Sequence, residues 1–288
     1  MDKWKGQSRG VPFGYSIFIF LIKYAGVASA YLLARFVVLY YLVFSNGANA
    51  ALKQYFERVE EYFGINISNK YYKTYFNFSQ TLIDKTAMIS GASKRITVDF
   101  DGEEHLKHLS ETNTGGLLLS AHIGNWEAAG HLLHRVDQKI NVVMMDREHE
   151  KIRHIMENAM GRKHFTIIPI KNDISHLFAI NQAAQNKELI CMHGDRFVPG
   201  VRTREMQFLG KWAEFPVGPF KLAAKLNLPV TFVYGMKKSK YHYGFYASAP
   251  ITGETDYLKI MDAYKNNLED MIKLYPTQWY NFYPFWKA

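Results

Sequence analysis

Residues 116–127 read GLLLSAHIGNWE, and this stretch decides the fold. A mostly apolar run, in which Ser120 is the one polar residue, ends at Ala121; His122 follows it, and Gly124 stands two residues further on. Mostly apolar runs of this length are typical of strands that are buried on both faces of a parallel sheet. A glycine next to such a strand lets the chain turn sharply. The stretch therefore predicts a strand, a turn and a helix that starts near Asn125, with His122 at the carboxyl end of the strand.

The alternation of strands and helices continues on both sides of this stretch. Further strands are predicted at residues 95–100, 140–145, 165–170, 188–192, 229–234 and 241–249. Helices are predicted at residues 49–91 in two pieces, 148–160, 174–187, 218–227 and from about 256 onward, and residues 196–214 are predicted to be a polar loop. Such repetition predicts an α/β fold with a mostly parallel central sheet flanked by helices.

The N-terminal part of the chain predicts membrane-associated helices. Residues 13–44 are apolar and aromatic, and Lys23 and Arg35 are the only charged residues among them. As one helix the segment would be about 48 Å long, against about 30 Å for the hydrocarbon core of a bilayer, so spanning the bilayer and lying in its interface both stay open. A long buried core helix is the third alternative. We predict an anchoring segment at residues 1–48 and an α/β domain at residues 49–288.

Charge and cysteine content limit the partners. The chain has 288 residues and a formal net charge of +9, which favours an anionic membrane surface or an acidic carrier protein as partner. The 35 lysine and arginine residues are scattered and form no recognisable nucleic-acid-binding module, so no nucleic-acid partner is predicted. The single cysteine, Cys191, excludes an internal disulfide bond.

His122 and Glu127 are the candidate catalytic residues. Residues five apart on one regular helix lie about 140° apart around its axis, so the two side chains can meet only if the chain turns back at Gly124. An imidazole can then take a proton from a hydroxyl group, while a carboxylate on its other nitrogen fixes the tautomer. The sequence contains no Gly-x-Ser-x-Gly motif, so a serine nucleophile lacks support. It also lacks the paired Cys/His spacings of zinc sites, and we predict no metal.

A histidine and a glutamate in this spacing after a strand resemble the signature of the lipid A secondary acyltransferase family, within the glycerolipid acyltransferases. Other segments resemble the same family: Arg147 after the next strand, Gly194-Asp195-Arg196 at the end of a later strand, Phe215-Pro216-Val217-Gly218 at a helix start, and Tyr275-Pro276-Thr277-Gln278-Trp279 near the end. The similarity covers roughly residues 10–288. The stretch after Trp279 departs from the family, which often has a His/Arg-rich stretch there.

The resemblance implies transfer of a fatty acyl group to a membrane lipid, with residues 49–288 as the acyltransferase domain. The donor would be the thioester of acyl carrier protein, through its phosphopantetheine group, or of coenzyme A, with no other cofactor. The location that the resemblance implies for the enzyme is the cytoplasmic face of a bacterial inner membrane. His122 would be the general base and Glu127 would orient it, while Arg147 and Arg196 would bind a phosphate or steady the oxyanion and Asp195 would hold one of them.

Two alternatives to acylation of a lipid A precursor stay open. A related enzyme would acylate a lysophospholipid, an amino-acid-containing lipid or a polyene pigment with the same two residues. A protein of a different class would bind lipid or carrier protein without catalysis.

Overall fold

The computed structural model describes residues 12–89, 91–126, 138–145, 165–171 and 173–286 and confirms the α/β fold. The strands of the described residues are β1 (Thr97–Asp101), β2 (Gly116–Ser120), β3 (Ile140–Met145), β4 (Phe165–Ile170), β5 (Leu189–His193), β6 (Thr203–Phe208), β7 (Lys211–Pro216), β8 (Val230–Ser239) and β9 (His242–Ala247). The helices are α1 (Pro12–Phe44), α2 (Asn46–Phe63), α3 (Lys70–Ile89), α4 (Glu103–Glu111), α5 (Ser175–Gln185), α6 (Gly218–Leu226) and α7 (Tyr257–Leu274). The predicted helix at 148–160 lies outside the described residues, as does the part of the helix predicted near Asn125 that follows Trp126.

The central sheet has seven strands in the order β1-β9-β8-β2-β5-β3-β4. Among these neighbours only β8 and β9 pair antiparallel. All five residues of β2 are buried, because β2 lies between β8 and β5 and both faces of the sheet are covered there. The apolar run at residues 116–120 is thus a strand at the middle of the sheet, and its carboxyl end faces the site described below.

Helix α1 is kinked at Gly26 and has two unlike faces. One face packs with Ile83 and Ala87 of α3 in an apolar cluster that includes Ile22, Ala30 and Ala34 of α1. The opposite face exposes large apolar side chains to solvent: Ile17, Ile19, Phe20, Tyr24, Leu32, Phe36, Leu39, Tyr40, Tyr41, Val43 and Phe44. Among the described residues, the stretch from Ile17 to Phe44 is the one helix that is long and apolar enough to cross a bilayer.

The prediction of a loop at residues 196–214 is wrong in part, because β6 and β7 form an antiparallel hairpin there. The two strands are joined at Leu209 and Gly210, which both have positive φ, the geometry of a tight hairpin turn. The buried side chains of the hairpin point into the core: Met206, Phe208, Ala213 and Phe215. Apart from the exposed Trp212, the positions between them are polar, which hides the alternation from a reading of composition.

Strand β8 runs to Ser239, five residues beyond the end predicted for it at Tyr234. Its charged end contains Lys237, whose side chain is 5% exposed and pairs with the fully buried Asp84 of α3 at 2.5 Å. The hydroxyl groups of Tyr31 and Tyr243 donate hydrogen bonds to the same carboxylate. A lysine is tolerated inside the sheet because this carboxylate neutralises it.

Replacing Lys237 with methionine is expected to lower the free energy of unfolding by about 3 kcal/mol, because the charge of Asp84 stays buried without its cation. The matched control is Lys238→Met, which removes the partner of Asp99 at the surface, where both side chains are partly exposed. Denaturant unfolding in detergent measures both variants, and the control is expected to stay close to the original protein. Equal effects of the two substitutions would contradict the prediction.

Candidate active site

Two neighbouring parallel strands bring the polar residues of the site together. His122 follows the end of β2, and in the register of the β2–β5 pair Ser120 lies opposite His193, the last residue of β5. Asp195 comes two residues after His193. The carboxyl ends of parallel strands are where α/β sheets place their ligands, so this is the expected edge for a site.

Asp195 forms the closest described contact with the His122 ring. Its Oδ1 lies 2.7 Å from His122 Nδ1, and its Oδ2 accepts hydrogen bonds from the backbone N–H of His122 at 2.9 Å and from Trp279 Nε1 at 3.2 Å. Burial by itself would raise the pKa of Asp195, but the His122 ring and its hydrogen bond, together with Arg196, outweigh burial and hold this pKa well below its usual range. The carboxylate is therefore ionised and fixes a hydrogen atom on Nδ1 of His122, which leaves Nε2 as the basic nitrogen.

His193 lies against the other side of the same ring. Its Nδ1 is 3.3 Å from His122 Nε2, and the two ring centroids are 4.3 Å apart at an interplanar angle of 71°. The ring centroids of Trp126 and His193 are 4.7 Å apart, and the two rings are nearly perpendicular. Removal from solvent, above all, lowers the pKa of His193 well below its usual value, and the charges of His122 and Arg196 act in the same direction. His193 is thus a neutral imidazole at neutral pH.

Gly124 makes the turn that the sequence predicts. Its φ is +63°, and a Cβ atom at this position would lie 2.2 Å from the carbonyl oxygen of Gly235, so only glycine fits without a shift of the backbone. The N–H of Gly124 donates to the carbonyl of Gln278 at 2.8 Å, and the N–H of Tyr280 donates to the carbonyl of His122 at 3.0 Å. Residues 278–280 therefore lie as a short extended segment along the loop at 122–124.

Arg196 contacts this same segment. Its Nη2 donates to the carbonyl oxygen of Tyr280, and its guanidinium group lies 5.6 Å from the ring centroid of Tyr283. The side chain is half-buried beside Asp195. These contacts place Arg196 at the site and give it a part in holding residues 280–283, while its role in binding substrate stays a prediction.

Glu127 and Arg147 lie outside the described residues, so the predicted contact between Glu127 and His122 stays a prediction. From the sequence, Asp195 is predicted to hold an arginine side chain. In the structure its described hydrogen bonds go to His122 and Trp279 instead. No motif in the sequence marks His193. The pairing of β2 with β5 is the signal that brings it to His122, and no single stretch of sequence contains that register.

One group of described residues has the composition of a metal site. The ligand atoms of His122, His193 and Asp195 all lie within 4.8 Å of one another. Both oxygens of Asp195, however, already accept hydrogen bonds from N–H groups of His122 and Trp279, so the carboxylate acts as a partner of the ring in this arrangement. The prediction that no metal takes part stays a prediction.

Two comparisons with known proteins bear on this site. Residues 72–288 match the family model described as bacterial lipid A biosynthesis acyltransferase, a range that includes His122, His193 and Asp195. The phosphatidylinositol mannoside acyltransferase of Mycobacterium tuberculosis (strain ATCC 25618 / H37Rv) is 23% identical over 190 residues, which are 65% of this chain. The match spans 59% of that relative's length. Both the family and this relative are described as acyltransferases.

Proposed function

Because the chain belongs to the bacterial lipid A biosynthesis acyltransferase family, we propose that it moves a fatty acyl group from a thioester to a hydroxyl or amine group of a membrane lipid. The observation that supports this most directly is the 2.7 Å contact between His122 Nδ1 and the ionised Asp195. That contact leaves Nε2 of His122 available as a general base at the end of a central strand. The donor in this proposal is acyl carrier protein or coenzyme A.

The reaction needs one base and no nucleophile from the protein. The acceptor hydroxyl gives its proton to His122 Nε2 while its oxygen forms a bond to the thioester carbonyl carbon. The carbon–sulfur bond then breaks, and the leaving thiolate takes the proton back from Nε2. His122 therefore ends in the state in which it began, and atoms and charges balance without a cofactor.

The two arginines and Glu127 have proposed roles around this base. Arg196 and Arg147 would bind a phosphate of the donor or acceptor, because a guanidinium group matches the geometry of phosphate oxygens. Glu127 stays a proposed second carboxylate for His122. Asp195 supports the ring in the described structure, so we assign the orienting role to Asp195 as well.

A lipid A precursor is the first acceptor to test. A lysophospholipid, an amino-acid-containing lipid and a polyene pigment follow it, since the same base serves each of them. The relative named phosphatidylinositol mannoside acyltransferase supports adding a mannosylated phosphatidylinositol to the series.

The decisive experiment uses the full chain purified in detergent. It is incubated with an acyl-carrier-protein thioester or acyl coenzyme A and with each acceptor in turn, and mass spectrometry detects the acylated lipid. We expect transfer from at least one donor to at least one acceptor of this series. A chain that binds acyl carrier protein or lipid but acylates none of them would support the alternative, a binding protein without catalysis.

Helix α1 supports a membrane location, which we propose to be the cytoplasmic face of a bacterial inner membrane with its anionic lipids. Tyr31 lies near the middle of α1, and its hydroxyl donates a hydrogen bond to Asp84. Asp84 in turn forms an ion pair with Lys237 of the sheet. A spanning α1 would bring these charged residues toward the bilayer centre, where charges are costly. We therefore propose that α1 lies in the interface with its apolar face toward the acyl chains.

Replacing Phe36 with serine is expected to weaken binding to vesicles of anionic and neutral phospholipids about tenfold, because a buried phenylalanine contributes at least about 1.5 kcal/mol. Phe36 is 64% exposed on the outer face of α1, and Phe178 on α5 is exposed to a similar extent, at 68%. Phe178→Ser is therefore the matched control, expected to bind as the original protein does. Co-sedimentation measures both, and unchanged binding of the Phe36 variant would argue against the proposed face.

A further inference from the structure

We propose that His193 is a catalytic residue that stabilises the oxyanion: its Nδ1–H donates to His122 Nε2 in the free enzyme and turns to the thioester oxygen in the transition state. This proposal rests on the proposed function, because it assigns His193 to the same acyl transfer. It adds a hydrogen-bond donor to a site for which the sequence indicates a base and arginines.

The direction of the contact between the two rings follows from Asp195. A neutral His122 that gives its Nδ1 hydrogen to Asp195 has only a lone pair on Nε2. The Nδ1 of His193, 3.3 Å from that Nε2, is therefore the donor and has the hydrogen atom. The proposed donor points at the atom that becomes protonated during the reaction.

Proton transfer to His122 ends the role of Nε2 as a hydrogen-bond acceptor. The acceptor hydroxyl first takes the place of the His193 N–H at the single lone pair of Nε2. When Nε2 then takes the proton of this hydroxyl, it becomes a donor and no longer accepts from His193, while the thioester oxygen gains negative charge. That oxygen is the acceptor which replaces Nε2.

The strengths of the two hydrogen bonds favour this switch. A separation of 3.3 Å is long for a hydrogen bond of this type, so the resting contact with Nε2 is weak. A hydrogen bond to an oxyanion is roughly twice as strong as one between neutral groups. The donor therefore interacts more strongly with the transition state than with the resting site, and this difference is what accelerates a reaction.

The surroundings of His193 keep it suitable for this role. Its ring is half-buried against Trp126 and beside Arg196, which favours the neutral form. A cationic His193 would repel the positive charge that forms on His122 at this short distance. A neutral imidazole acts as a hydrogen-bond donor to a substrate oxygen in other enzymes as well.

The test compares His193→Leu with His193→Asn, two side chains of similar size of which only asparagine keeps a donor near the position of Nδ1. We expect the leucine variant to lower kcat about 10²- to 10³-fold, the usual effect of losing one oxyanion donor, with KM for donor and acceptor little changed. The asparagine variant is expected to recover kcat to within about tenfold of the original enzyme. His193→Phe, which keeps an aromatic ring against Trp126, is expected to behave like the leucine variant.

Three results would overturn this assignment. One is a kcat for the leucine and phenylalanine variants within threefold of the original enzyme. Another is equal loss in the leucine and asparagine variants, which would indicate a need for the imidazole itself. The third is recovery of kcat by phenylalanine, which would indicate packing alone. If the original protein transfers no acyl group, the proposed function fails first, and the two failures are thereby distinguished.

Discussion

Replacing His122 with alanine is expected to reduce kcat by between about 10²-fold and 10⁴-fold, the usual contribution of a general base. The acceptor hydroxyl would then lose its proton to water, while Asp195, Arg196 and the strands around the site stay in place. KM for the thioester is expected to change little, because the imidazole acts on the acceptor proton. Initial rates with the most active donor and acceptor pair measure the effect.

The control for this substitution is His242→Ala. His242 lies at the start of β9, where its Nδ1 is 2.8 Å from Thr97 Oγ1 in an exposed position. This variant is expected to keep its activity, so loss of activity in the His122 variant alone would exclude a general effect of removing a histidine. Turnover of the His122 variant within tenfold of the original enzyme would remove the base from the proposed mechanism.

Replacing Asp195 with asparagine is expected to lower kcat on the order of 10⁴-fold, through the tautomer of His122. Oδ2 of Asp195 accepts two hydrogen bonds, from the backbone N–H of His122 and from Trp279 Nε1. An asparagine satisfies both donors only by turning its carbonyl oxygen toward them and its NH₂ group toward His122 Nδ1. Nδ1 must then accept, the hydrogen moves to Nε2, and the base loses its lone pair.

Two further variants make this prediction specific. Asp99→Asn, at the surface pair with Lys238, is expected to leave kcat unchanged. Glu127→Gln tests the carboxylate that is predicted from the sequence to lie near the base. ¹⁵N NMR of His122 reports which ring nitrogen has the hydrogen. A large loss in the Glu127 variant together with near-normal turnover and an unchanged His122 tautomer in the Asp195 variant would assign the orienting role to Glu127 instead.

The fold was predictable because its strongest signals are local. The buried strand at 116–120 and the turn at Gly124 follow from an apolar run and one glycine, and the structure confirms both. The hairpin of β6 and β7 was missed because its apolar positions alternate with exposed polar ones around an unusual Leu-Gly turn. The end of β8 was misplaced because Lys237 is buried against Asp84 of helix α3, a pairing that composition does not reveal.

The site was predictable only in part, for a related reason. The sequence singles out His122 by its position after a strand, and the family match confirms the predicted resemblance. The contacts of His122 with Asp195 and His193 depend on β2 and β5 being neighbours, although 73 and 71 residues separate the partners along the chain. Pairings over such distances are set by tertiary packing, and neither helical nor strand periodicity indicates them.

The site depends on a segment that lies far along the chain from His122, at residues 278–280. Trp279 donates to the carboxylate of Asp195, and the two neighbouring residues are hydrogen-bonded to the turn at 122–124. A folding intermediate that has formed the sheet but has not yet docked this segment lacks these bonds. Such an intermediate has an incomplete site, so activity requires that residues 278–280 are docked.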